Sequence, residues 1–323
     1  MPRPSLRFVL PICFLAATAC ATGRRADVGP SPAPATADHD AATALAGARV
    51  YDARRDATVA LATMFDSLAR ADVVFVGERH DDAATHRLEL AVLEALAARG
   101  RPVVLALEMF ERDVQPLLDA YLAGRASEAE FLAGARPWPN YATDYRPLVE
   151  FARAQGWPVL ASNVPRPIAA LVARGGLAAL DTLPPARRAH AAAELRCPDD
   201  PYRAKFVATM RGMPGHADAA APAGPPDSAH AAADAAVLQR FYEAQCVKDE
   251  TMAESVARAL RAGATVVHVN GAFHSDERLG TAARLLRRRP AARTIVVATV
   301  PGGAAAADAG ASGNLGDYVV LLP

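Results

Sequence analysis

The 323-residue chain balances 35 Lys+Arg against 35 Asp+Glu, a formal net charge of zero. That balance leaves no electrostatic footprint for nucleic acid, and the one basic run, Arg287-Arg288-Arg289, ends an amphipathic helix where it complements the negative helix terminus. The length allows a substantial core, and a single elaborated domain is the expectation.

Residues 1–19 have the layout of a bacterial export signal: Arg3 and Arg7, an apolar stretch from Phe8 to Ala16, then Ala17-Thr18-Ala19 before Cys20. The apolar stretch is too short to span a membrane as a mature helix. Two processing routes are open, lipidation of Cys20 or plain cleavage near Ala19. A diacylated Cys20 would anchor the chain to a membrane without spanning it, and Ala21 in place of Asp directs the expectation to an outer-membrane lipoprotein facing the periplasm or the surface. Residues 20–46 hold Ala, Pro, Thr and Asp with almost no large apolar side chain and read as a flexible tether, leaving 47–323 as the folded domain.

From Tyr51 to Ser67 the pattern predicts a short strand or hairpin and a helix. The runs 73–77, 102–107, 158–161 and 265–269 are short, β-branched and bounded by Gly or polar residues, the signature of strands buried on both faces. Between the first two, Leu88, Val92, Leu93 and Leu96 mark one face of a helix over 83–98. A helical region follows over 112–133, then a Pro- and aromatic-rich loop over 136–145 suited to a pocket rim, then a helix over 146–155. Residues 166–262 read as a helical cap or insertion containing a mobile Pro/Gly/Ala loop over 212–234 and a long helix over 235–262. A strand at 294–300 and a terminal Tyr318-Val-Val-Leu-Leu322 close the chain. Strand, helix, strand in alternation implies an α/β fold with a mostly parallel sheet flanked by helices.

Ligands of such sheets bind outside the carboxyl ends of the strands. There the sequence places Glu78, His80, His86, Glu108, Asn163, Asn270 and His274. Glu78, His80, Glu108 and His274 combine carboxylate and imidazole donors suited to Zn, Mn or Fe, or, without metal, to general acid/base catalysis. The competing structural reading has Glu78 and His80 capping the next helix and Glu108 paired with Arg79 or Arg112. His86 faces either the site or solvent, and mid-strand His268 reads as a satisfied core histidine. His39 and His190 receive no role. Tyr202 and Tyr242 fall on cap helices, where an aromatic is ordinarily core, although phenolate is a hard axial ligand for ferric haem. His216 and His230 flank the Pro/Gly/Ala loop. Cys197 and Cys246 would be free to pair in an oxidising compartment, and their spacing makes a zinc finger unfavourable.

Val-Phe-Val-Gly-Glu78-Arg-His80 with His86, Leu-Glu108-Met-Phe, Ala-Ser-Asn163, the stretch Phe241 to Glu254 and Asn270-Gly-Ala-Phe-His274 together resemble the ChaN-like haem-binding uptake lipoproteins of the Tiki superfamily, over most of 51–301. The resemblance implies a Rossmann-like sheet with a helical cap, a lipoprotein signal, and a homodimer holding haem between protomers through tyrosine and histidine. Tyr202, Tyr242, His216, His230 and His86 are the haem candidates. Hydrolytic relatives in the superfamily share the Gly-Glu-x-His motif, the later Glu and the final His. On that similarity Glu78, His80, Glu108 and His274 would be the catalytic and metal residues of a divalent-metal-dependent envelope hydrolase of esters or peptides. The carrier reading is the first expectation and the hydrolase its alternative.

Overall fold

A computed structural model describes residues 34–212, 228–301 and 314–323. Cys20, the export signal and His216 lie outside the described residues, as does the side chain of His230.

The strands are β1 (Arg49–Asp52), β2 (Ala57–Val59), β3 (Val73–Glu78), β4 (Val103–Glu111), β5 (Val159–Asn163), β6 (Thr265–Gly271), β7 (Thr294–Pro301) and β8 (Tyr318–Leu322). They form one sheet in the order β2-β1-β8-β7-β3-β6-β4-β5. β3 to β8 run parallel, and the β1–β2 hairpin joins antiparallel at β8. Every residue of β3, β4 and β6 is buried, as apolar runs demand when helices cover both faces. Their carboxyl ends lie side by side, so residues distant in sequence meet there. β4 shifts register against β5 between Leu107 and Glu111, which places Glu108 inside the irregular stretch.

The helices are α1 (Pro34–Ala44), α2 (Leu61–Leu68), α3 (Ala83–Ala98), α4 (Gln115–Leu122), α5 (Glu128–Ala135), α6 (Arg146–Ala154), α7 (Arg166–Gly175), α8 (Pro185–Arg188), α9 (Pro201–Gly212), α10 (Ser228–Ala259) and α11 (Gly280–Arg288). α1 to α3 and α6 contribute to the core cluster on one face of the sheet. On the other, Ala253, Val256 and Ala257 of α10 and Ala282 and Leu285 of α11 pack on Val73, Phe75, Val104, Val266 and Val296. The helical insertion is thus tied to the sheet by the second half of its own longest helix.

Three local expectations change. The segment read as tether through residue 46 is helical from Pro34: Ala41 and Leu45 are buried in the core, and Asp38 pairs with Arg99 at 2.8 Å. Small Ala side chains let α1 approach α3 closely, a burial that low hydrophobicity does not advertise. The helix over 112–133 is two, broken where Gly124 takes φ +68° and Ser127 opens α5 with a capping box to Glu130. Residues Tyr141–Tyr145, read as loop, form a π-helical turn that buries both tyrosines.

Asp82, rather than Glu78 or His80, caps α3, its carboxylate accepting from Ala84 N at 2.9 Å and Thr85 Oγ1 at 3.1 Å. Asp82→Ala is expected to cost about 1 kcal/mol, read as a lower urea midpoint at unchanged slope. An unchanged midpoint would show that the cap contributes nothing.

Candidate functional site at the carboxyl edge of the sheet

Glu78 ends β3 with its side chain turned inward, and Oε1 accepts from Tyr145 OH at 2.8 Å and holds His80 Nδ1 at 2.5 Å. Two close approaches make this possible. A Cβ on Gly77 would sit 3.1 Å from Ser275 Oγ and 3.2 Å from Asp276 Oδ1, so the segment after β6 lies directly against β3. A Cβ on Gly271 would sit 2.8 Å from His80 Cε1, so that glycine provides the space the imidazole fills. The His80 side chain is 47% exposed, and no hydrogen bond reaches Nε2 among the described residues. Trp138 meets its ring edge-on at 4.7 Å, and the Arg166 guanidinium stands 6.0 Å from the Trp138 ring, so the 136–145 segment does form a rim. Burial lowers the His80 pKa, but its hydrogen bond to Glu78 and the Glu108 charge outweigh that and raise it.

A second group lies across the same edge. His274, on a short 3-10 turn after β6, places Nε2 3.3 Å from Glu108 Oε1 and Nδ1 2.8 Å from Asp249 Oδ1. Glu108 Oε2 accepts from Gly271 N at 2.8 Å, and Asp249 accepts from Tyr202 OH at 2.7 Å and Thr281 Oγ1 at 2.8 Å. Burial alone would favour neutral forms of all three ionisable groups. The two carboxylates outweigh it at His274 and raise its pKa to about 10, while the imidazolium carries Glu108 and Asp249 below their ordinary values. His274 therefore stays charged at neutral pH with both nitrogens engaged.

Beneath Glu78 lies a third group, built around buried His86 and Glu89. His86 Nδ1 is 3.1 Å from Glu89 Oε2 and 3.7 Å from Glu78 Oε2, and His86 Nε2 is 3.3 Å from His80 O and 3.5 Å from Asp144 Oδ2.

The edge thus collects Glu78, His80, Glu108 and His274, and of the two orientations open to His86 it takes the one turned to Glu78. Glu108 pairs with His274 and not with Arg79 or Arg112; Arg112 is committed to Glu254. Glu78, His80, Glu108 and His274 are not brought together as one set of four donors among the described residues: Glu78 pairs with His80, and Glu108 with His274. Among the described residues, the group whose donor atoms come within 4.8 Å of one another is Glu78, His86 and Glu89. Asn163 is structural, its amide donating to Glu108 O and its Oδ1 accepting from Val164 N. Asn270 joins buried His268 to Ser275. Burial lowers the pKa of His268 to about 4, as expected of a core histidine.

Tyr202 and Tyr242 do not present ligand oxygens. Both are buried; Tyr202 donates to Asp249, and Tyr242 donates to Pro198 O at 2.9 Å. All seven tyrosines of the chain are buried.

The sequence reading gave no role to Glu89 or Asp249, and placed Asp144 and Tyr145 only in the loop suited to a pocket rim. Glu89 follows His86 by three residues, a same-face spacing on α3, and Tyr242, Gln245 and Asp249 lie at i, i+3, i+7 on α10, so helical periodicity could have found both acids.

The sequence model of a family described as haem-binding uptake, Tiki superfamily, ChaN, matches residues 64–285. Among solved structures, ChaN of Campylobacter jejuni, reported with cofacially bound haem, superposes with a TM-score of 0.60 at 15% identity, over 85% of this chain and 97% of that one. RRSP, an effector domain of a MARTX toxin from Vibrio vulnificus, aligns with 66% of this chain and 30% of its own at 18% identity and a TM-score of 0.34. No curated protein matches.

Proposed function

Because this chain belongs to the haem-binding uptake family of the Tiki superfamily, ChaN, we propose that it carries haem and that His80 Nε2 is its iron ligand. The observation that carries the assignment is the free, half-exposed edge of His80, whose other nitrogen is held by Glu78. A histidine oriented through its second nitrogen by a carboxylate is the usual arrangement of a metal-binding imidazole. Trp138 beside it supplies an apolar wall for a flat macrocycle, and Arg166 above Trp138 a cation for a propionate.

One shallow edge buries a flat ligand poorly, so two protomers closing over haem is the arrangement we favour, in keeping with the cofacial haem reported for the Campylobacter jejuni protein. No helix among the described residues is long and apolar enough to cross a membrane. Attachment through a lipid on Cys20, at the outer membrane, is the localisation we propose, and its support is the sequence of residues 1–20.

Hemin titration of the purified protein is expected to give a saturable Soret band with a shift toward dimer on size exclusion. His80→Ala is expected to weaken binding by more than about tenfold. Tyr202→Phe should leave the band in place. Absence of a saturable band in the wild type removes the carrier reading, and a band indifferent to His80→Ala removes the ligand.

The hydrolase reading keeps one specific support, that Glu78–His80 is also a carboxylate–imidazole pair able to take a proton from water. It requires hydrolysis of ester or peptide substrates lost in Glu78→Gln, and does not survive a protein inactive with and without divalent ions.

A further inference from the structure

We propose that Glu78, His86 and Glu89 form a closed binding site for one divalent first-row cation, Zn²⁺ or Mn²⁺, beneath the strand edge and separate from the haem face. Glu78 comes from the end of β3, His86 and Glu89 from successive turns of α3, and their relative exposures are 2%, 6% and 0%. A macrocycle cannot enter so enclosed a place, whereas a single ion can.

The donor separations suit one ion. Bonds of about 2.0–2.2 Å at tetrahedral angles put neighbouring ligand atoms about 3.3–3.6 Å apart. Here Glu78 Oε2 lies 3.7 Å from His86 Nδ1, and His86 Nδ1 lies 3.1 Å from Glu89 Oε2. The opposite nitrogen of His86 faces His80 O and the Asp144 carboxylate, which favours a proton on Nε2 and leaves the Nδ1 lone pair for a metal.

Two buried oxygens have no hydrogen-bond partner, Glu78 Oε2 and Glu89 Oε1. Such orphans are uncommon in folded proteins and call for a partner. Nor is the charge compensated by side chains. The ion pairs of Glu78 run only to His80 and His86 and that of Glu89 only to His86, with no Arg or Lys on either carboxylate among the described residues. Two carboxylates and one imidazole are a donor set for Zn²⁺ or Mn²⁺. The ion would pin Oε2 of the carboxylate whose Oε1 carries His80 and Tyr145, and so fix the orientation of the exposed imidazole.

The test is metal content and thermal stability, independent of haem. Protein stripped with chelator is titrated with Zn²⁺ and, separately, Mn²⁺, with bound metal counted by mass spectrometry and Tm followed. Uptake of one ion per chain with a concentration-dependent rise in Tm is expected. Glu89→Gln and His86→Gln, both close in shape to the native side chains, should each weaken binding more than tenfold while the metal-free proteins stay folded. Failure to take up either ion overturns the proposal in favour of a shared proton. Binding unaffected by both substitutions overturns it too, because the ion then sits elsewhere. Should one variant unfold, the other decides.

Discussion

Replacing Cys197 and Cys246 together with serine is expected to lower stability by about 4 kcal/mol, the chain-entropy value for a loop of about 50 residues. The structure joins the two cysteines, 49 positions apart in sequence and with Cα atoms 5.6 Å apart, inside the range a disulfide needs. The bond fastens an irregular segment to α10. Around Cys197, residues 189–200 have no regular helix or strand, and α10 side chains satisfy part of their backbone: Ala192 N donates to Thr251 Oγ1, Ala193 N to Glu254 Oε2 and Arg196 N to Glu250 Oε1. Without the covalent tie those bonds must offset the ordering entropy of the segment alone. Guanidinium melts with and without dithiothreitol, and of the double Ser variant, measure the effect. Coincident melts would mean the staple adds nothing, whereas a wild-type midpoint that drops to the variant's on reduction is the expected result. The envelope location proposed above supplies the oxidising conditions the bond requires.

The central strands were readable because burial on both faces compels continuous β-branched runs, and β3, β4, β5 and β6 fall on the runs at 73, 102, 158 and 265. The edge site was readable for a related reason: Glu78, Glu108 and His274 interrupt or follow runs that are otherwise mainly apolar and buried. What the sequence hid came from the covering helices. A tyrosine on α9 or α10 reads the same whether its hydroxyl faces a ligand or an aspartate one helix away, and only packing shows that Tyr202 is spent on Asp249. Helical spacing puts Glu89 with His86 and Asp249 with Tyr242, but it does not by itself say which face of each helix the sheet covers. For α1 the obstacle was composition, since alanine buries little area and its helix resembles a linker until the groove it fills is known.

Asp249→Ala is expected to cost about 3–5 kcal/mol, the range for removing one partner from a buried charged network. One carboxylate there serves His274 Nδ1, Tyr202 OH and Thr281 Oγ1, all buried, and truncation strands all three donors. The effect carries a pH signature that plain loss of packing lacks. His274 has a folded pKa of about 10 against an ordinary 6.5, so its contribution is complete below about pH 6.5 and is lost as pH rises toward 10. Glu108 and Asp249 are shifted below their ordinary 4.5 and 3.8, so their contributions are complete above those values and are lost as pH falls. Wild-type stability from this group is therefore flat between about pH 4.5 and 6.5 and declines on either side. In Asp249→Ala one of the two charges that raise His274 is gone, its folded pKa moves back toward 6.5, and the alkaline decline is compressed to lower pH. Urea midpoints of both proteins from pH 4 to pH 10 separate the cases. A constant offset across the whole range would show that Asp249 acts by packing alone, while a difference that is largest in the plateau and shrinks toward pH 10 shows that the imidazolium is held in place by its charge.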